Sequence, residues 1–292
     1  MTLAERMGYR LAHTLFHPPR KKHHRHPGDL GLPFTEEIVR TPDGINLHLW
    51  LIPGRAAGTG AGTAIVGHGI GLTKSASLRQ ARLLHGLGWN VLVFDHRNHG
   101  LSAPDPAREH LAERYSADIT TGIDVARTTW PGARPLVVWG FSFSTFPTLH
   151  QLRHPTSPVD AILCDSGPGL DLDAMLRDFL TTGGVPVPAP IRAVLRRPDV
   201  VSAFARSAVT MLGTDWPPKR ESSASGTTPM LYLIGADDTL VQPAQVRALA
   251  SRYPHATVAE FPAAHLEGIK TAPAEYEAAV TAFLHALARP TE

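Results

Sequence analysis

Residues 135–144 read PLVVWGFSFS, in which an apolar run from Leu136 to Trp139 breaks into Gly140-Phe141-Ser142-Phe143-Ser144. A short apolar run suits a strand buried on both faces, and the glycine and serines after it suit a sharp turn into a helix. Such a turn strains its central residue and tolerates only small neighbours. Ser142 is therefore expected to stand above the carboxyl end of the sheet as a nucleophile, with the Phe143 amide facing a developing oxyanion from the helix N-terminus. One residue departs from the pattern G-x-S-x-G, and a second is unusual in the helix that follows. Ser144 stands where the second glycine is expected, and Pro147 removes an early hydrogen bond from the helix after the turn.

Glycine-serine turns are common after strands, so the reading needs support from more distant parts of the chain. Asp238, in LYLIGADDTLVQP, ends another apolar run, and His265, in FPAAHLEG, comes after the strand-like ATVAEF. Ser, then Asp, then His, each just past a strand, is the chain order of one type of serine hydrolase. A serine hydroxyl is a poor nucleophile until an imidazole takes its proton, which is the role read for His265. Asp238 is favoured to orient that imidazole, because it stands three residues after Gly235 in G-x-x-D-x-x-V; Asp237 competes, and Asp165 at the end of AILCDS is a more distant alternative. Ile70 in His68-Gly69-Ile70-Gly71 is the candidate second oxyanion donor, and His68 is read as fixing that loop through its ring nitrogens.

Working outward, TAIVGHG, NVLVFDH, PLVVWGF, AILCDS and MLYLIGA are short buried-type strands separated mostly by helical segments, so the fold class is α/β with a mostly parallel central sheet flanked by helices. PFTEEIVR and INLHLWLIP around Asp43-Gly44 read as an opening antiparallel hairpin. The core is expected to span residues 31–168 and 229–292. Residues 169–228, far longer than an ordinary connection, are read as a helical lid insertion, with helices in DLDAMLRDFLTT, PAPIRAVLRR and DVVSAFARSAVTMLG and a return loop in PPKRESSASGTTP.

At 292 residues, with 43% hydrophobic residues, a net charge of +2 and one cysteine, the chain has a sizeable core, no polyanion-binding signature and no internal disulfide. No nucleic-acid partner is expected, and the cytoplasm is the default compartment. No stretch reaches the roughly 18 apolar residues of a membrane span, and the start lacks a convincing signal peptide. Residues 1–30 are read as an amphipathic helix with a basic, histidine-rich run. Thr2 and Glu5 form a capping box, and Leu3, Met7, Leu11 and Leu15 form its stripe. The favoured reading docks that helix on the domain's own surface; the alternative is a peripheral membrane contact, with Arg20, Lys21, Lys22 and Arg25 near anionic head groups. His23, His24 and His26, without a carboxylate or cysteine partner, are not read as a metal site.

HGIG is similar to the HG-x-G oxyanion segment of the α/β-hydrolase superfamily, and DHRNHGLS at Asp95 to Ser102 is similar to its D-x-R-G-x-G-x-S segment, with Asn98 in place of glycine. The resemblance spans residues 35–288, and the run from DGINLHLWLIP to DHRNHGLS looks most like the serine aminopeptidase-like or lysophospholipase-like branch. It implies the α/β-hydrolase fold. The expected activity is hydrolysis of a carboxylic ester of a small or acyl-chain substrate through an acyl-enzyme, without cofactor or metal. A thioesterase or acyltransferase would use the same triad. A reading of another class, a non-catalytic binder of a hydrophobic ligand or partner, is disfavoured by the ordered Ser142, Asp238 and His265.

Overall fold

A computed structural model describes residues 1–55, 61–153, 159–182, 193–218 and 227–287. The expected helix at 188–197 and return loop at 217–229 lie partly outside the described residues. Strands β1 (Thr35–Arg40) and β2 (Asn46–Ile52) form the opening antiparallel hairpin, closed by Gly44 at φ +91°. β3 (Thr63–Val66), β4 (Asn90–Phe94), β5 (Leu136–Phe141), β6 (Ala161–Asp165), β7 (Met230–Gly235) and β8 (Ala256–Phe261) complete one eight-stranded sheet in the order β1-β2-β4-β3-β5-β6-β7-β8. β2 pairs antiparallel with β4, and every pair from β4-β3 to β7-β8 is parallel. Every residue of β3 to β7 is buried, as continuous apolar runs require in a sheet covered on both faces.

Around this sheet pack the helices α1 (Leu3–Phe16), α2 (Leu78–Gly86), α3 (Leu111–Thr129), α4 (Thr145–His150), α5 (Leu172–Thr182), α6 (Pro198–Leu212), α7 (Pro243–Ala250), α8 (Gly268–Thr271) and α9 (Pro273–Leu287). Two apolar cores lie on the sheet's two faces, and a third gathers α1, α3, α5 and α6. Among the described residues, no helix is long and apolar enough to cross a membrane.

The chain ends of the sheet are tied together by buried charge. The Arg97 guanidinium, just past β4, donates to Asp118 of α3 (2.9 Å), to Asp105 (2.7 Å) and to Asp43 in the hairpin turn (2.7 Å). Burial opposes ionisation of Asp105, but hydrogen bonds from Arg114, the Ala107 amide and Arg97 hold its pKa down at about 2. Lys74, fully buried, pairs with buried Asp95 at 2.8 Å and lies over the Trp50 ring.

The N-terminal segment packs on the domain itself. The Thr2/Glu5 capping box is formed, but the deepest face of α1 is Gly8, Ala12 and Phe16 rather than the expected stripe, and Leu3 is 68% exposed. The reason is close approach: a Cβ on Gly8 would lie 2.5 Å from the backbone of Ala203 and Phe204 in α6. Lys21, Lys22 and Arg25 are exposed, whereas His23 donates to Asp95 at 2.7 Å and His24 hydrogen-bonds Ser75 at 2.8 Å.

Candidate active site

β5 ends at Phe141 and the chain turns at once into a short 3-10 turn, Ser142–Ser144, and then α4. Ser142 has φ +49°, a left-handed conformation that costs a non-glycine residue about 1–3 kcal/mol and that the packed turn imposes. Gly140 has no alternative: a Cβ there would lie 2.5 Å from Thr148 Oγ1 and 2.6 Å from the Ser144 carbonyl oxygen. Ser144 is accommodated by a different route from the expected glycine. Its buried hydroxyl hydrogen-bonds His96 Nε2 at 2.9 Å, and a Cβ on Gly67 would lie only 1.9 Å from Ser144 Oγ. The glycine missing at 144 is, in effect, supplied at 67. Pro147 is the third residue of α4, in the first turn, where a helix has no internal partner for an N–H.

The structure brings Ser142, His265 and Asp238 together from three strand ends. The Ser142 hydroxyl donates to His265 Nε2 at 2.8 Å, and His265 Nδ1–H donates to Asp238 Oδ2 at 2.7 Å. The other Asp238 oxygen accepts the amides of Leu240 and Val241, each at 2.9 Å. Three donors on one buried carboxylate fix its orientation. Asp237 is exposed, and its backbone N–H serves the Ala263 carbonyl instead.

Asp165 lies one strand over, at the end of β6, where its carboxyl accepts from the Ser166 hydroxyl (2.9 Å) and from the Tyr276 hydroxyl. Ser166 Oγ in turn accepts the Leu266 amide at 3.0 Å, next to His265. Ser166 and Leu266 both adopt positive φ, +57° and +61°. Burial pushes the Asp165 carboxyl up to about 6, against the lowering effect of these hydrogen bonds. Sequence reasoning did not single out Tyr276 or Ser166, whose bonds to Asp165 and to the Leu266 amide respectively span 111 and 100 residues.

In the loop after β3, His68 Nδ1–H donates to the Gly69 carbonyl at 2.8 Å and Nε2 accepts the His96 amide at 3.1 Å, so both ring nitrogens are engaged in holding backbone. Burial, with His99 and His96 beside it, pushes the His68 imidazole well below its ordinary range. His99, pushed down to about 4 chiefly by burial, accepts the Gly71 amide at 3.0 Å. These neutral rings shape the loop that carries Ile70. Ile70, Phe143, Ser142 and His265 share an apolar cavity of about 80 Å³ with side chains from α1, α5 and α6.

A family model described as serine aminopeptidase, S33, matches residues 60–214, and one described as serine hydrolase (FSH1) matches residues 188–267. Two proteins from strains of Mycobacterium tuberculosis, both described as uncharacterized, are 29% identical over 148 residues, 48% of this chain. The chain spans about half the length of these curated relatives, 52%. Among solved structures, an esterase of Pyrococcus furiosus is similar with a TM-score of 0.73 at 22% identity, covering 92% of this chain and 97% of that one. A hydrolase from Pseudomonas aeruginosa has a TM-score of 0.60 at 20% identity, covering 86% and 98%. At these identities the likeness is one of fold: an α/β-hydrolase sheet.

Proposed function

Because the chain belongs to the serine aminopeptidase S33 family of serine hydrolases, we propose that it is an esterase that cleaves short-chain carboxylic esters through an acyl-enzyme on Ser142. The observation that carries this reading is the unbroken hydrogen-bond line from Ser142 through His265 to Asp238, opening on an apolar cavity. An apolar pocket beside the nucleophile suits an acyl chain better than a charged amino-terminal residue.

Ser142 Oγ attacks the ester carbonyl as His265 Nε2 takes its proton, and Asp238 stabilises the resulting imidazolium and holds its tautomer. The amides of Phe143 and Ile70 are the proposed oxyanion donors. His265 then protonates the departing alkoxide, leaving an acyl-Ser142 ester, and activates water to release the acid. A thioester presents the same carbonyl to the same groups. Helices α5 and α6, within residues 169–228, are the proposed lid; Leu172, Met175, Leu176 and Phe179 of α5 line the cavity.

Labelling with a fluorophosphonate probe tests the reading. Wild type is expected to be labelled and to hydrolyse p-nitrophenyl acetate or butyrate, and Ser142→Ala to lose both, with turnover falling by about 10⁴-fold or more. Equal labelling of both proteins, or none of either, overturns it.

A further inference from the structure

The cavity beside Ser142 is walled on one side by the first helix of the chain. Leu15 and Phe16, the last residues of α1, line it opposite residues of α5 and α6. Phe16 is 1% exposed, and its ring lies 6.1 Å from that of Phe143, the residue after the nucleophile. Its position is set by backbone as well as side chain: the Phe16 carbonyl accepts both Asn98 Nδ2–H at 3.0 Å and the Tyr115 hydroxyl at 2.7 Å. Asn98 adopts φ +64°, and its Oδ1 accepts the Asp105 amide at 2.7 Å. One side chain therefore fastens the end of α1 to the loop after β4. His17, one residue on, adds a third fastening through Nε2–H to the Ala107 carbonyl at 2.9 Å. At the other end of the contact, Gly8 lets α1 meet the backbone of α6 without a spacer.

We propose that α1 is a fixed wall of the acyl site and that Phe16 sets the longest acyl chain the site accepts; this rests on the esterase reading. The free space of about 80 Å³ is smaller than the roughly 150 Å³ of an apolar cavity that takes up benzene, so the site favours short acyl chains. Removing the Phe16 phenyl ring enlarges the cavity on the α1 side, which moves the preferred substrate from acetyl and butyryl esters toward longer chains. The recognised ligand class is a short acyl group, and the selecting residue lies more than a hundred positions before the nucleophile.

The test is a p-nitrophenyl ester series from acetate to laurate on wild type, Phe16→Ala, Phe16→Leu and Phe16→Trp, with circular dichroism and fluorophosphonate labelling of each preparation. The expected result is a rise of at least tenfold in the octanoate-to-acetate ratio of kcat/KM for Phe16→Ala, a smaller rise for Phe16→Leu, and a fall for Phe16→Trp. If Phe16→Ala does not fold, the Leu and Trp variants carry the test in opposite directions. A labelled, active wild type whose chain-length profile is shared by the folded variants overturns the proposal and leaves the esterase reading intact. A wild type that is neither labelled nor active breaks the esterase reading; titration calorimetry with butyrate, hexanoate and octanoate then decides. Equal octanoate binding by wild type and Phe16→Ala, or by neither, overturns the proposal, and tighter binding by the variant sustains it.

Discussion

The polar and apolar walls of the cavity around Ser142 are built in opposite ways. On the polar wall Ser142 and His265 face the cavity, and consecutive parallel strands supply what stands there and behind it: β6 ends in Asp165, the chain past β7 carries Asp238, and the turn past β8 carries His265. The apolar wall comes from α1, α5 and α6, with the end of α1 held by hydrogen bonds from Asn98 and Tyr115 to the Phe16 carbonyl that span 82 and 99 residues. In the first, sheet register places the polar groups; in the second, packing between distant segments places the apolar lining. On the proposed reading, mutations separate chemistry from selectivity.

The largest expected effect lies on the polar wall. Asp238→Asn keeps the shape but leaves His265 without an anion for its imidazolium, and kcat/KM is expected to fall about 10³- to 10⁴-fold, as at other triads of this kind. Asp237→Asn, altering an exposed neighbour, is expected to stay within about threefold of wild type. Steady-state kinetics on one activated ester measure both. Losses of equal size would break the assignment of the polar wall to the second aspartate past β7.

Behind the same wall lies a second buried carboxyl, Asp165. Asp238 accepts two amides and an imidazole, whereas Asp165 is raised by burial to about 6. A folded-state pKa above the unfolded value means the native protein keeps a proton that the unfolded chain releases. The associated stability is present below about pH 4 and is lost as pH rises through about 6, by roughly 3 kcal/mol. Asp165→Asn cannot ionise, so its urea midpoint is expected to fall less than that of wild type between pH 4 and pH 7. Parallel pH profiles for the two proteins would show that Asp165 does not carry this charge change.

This division also explains what could be read from residues alone. The strands of the polar wall announce themselves as apolar runs closed by glycine or aspartate, and Ser142, Asp238 and His265 are found because each is a strand-end residue in chain order. Even the choice between Asp237 and Asp238 had a local signal, the spacing from Gly235. The compensation of Ser144 by Gly67 and His96 had none, since it depends on two loops meeting across β3 and β5. The apolar wall was legible only as helices. A hydrophobic stripe counts carbon, so it favoured Leu3 and Met7 over Gly8 and Ala12, whose value is that they are small. Asn98 was visible as a departure from glycine and readable as tolerant of a left-handed turn; that it would grip Phe16 was not, because its partner is in another segment.

Gly8 provides the smallest and most discriminating test of that contrast, because two effects of opposite sign meet there. Replacing a helical glycine by alanine stabilises an exposed helix by about 1 kcal/mol through the unfolded chain's lost freedom. At Gly8 the new Cβ would lie 2.5 Å from two backbone atoms of α6, which cannot move aside as a flexible side chain would. Overpacking of that kind costs about 1–3 kcal/mol, so the net expectation for Gly8→Ala is a loss of up to about 2 kcal/mol, seen as a lower Tm. Helix propensity alone predicts a rise. A raised Tm would mean that α1 does not rest on α6, and the apolar wall would lose the contact that holds Phe16 over the cavity.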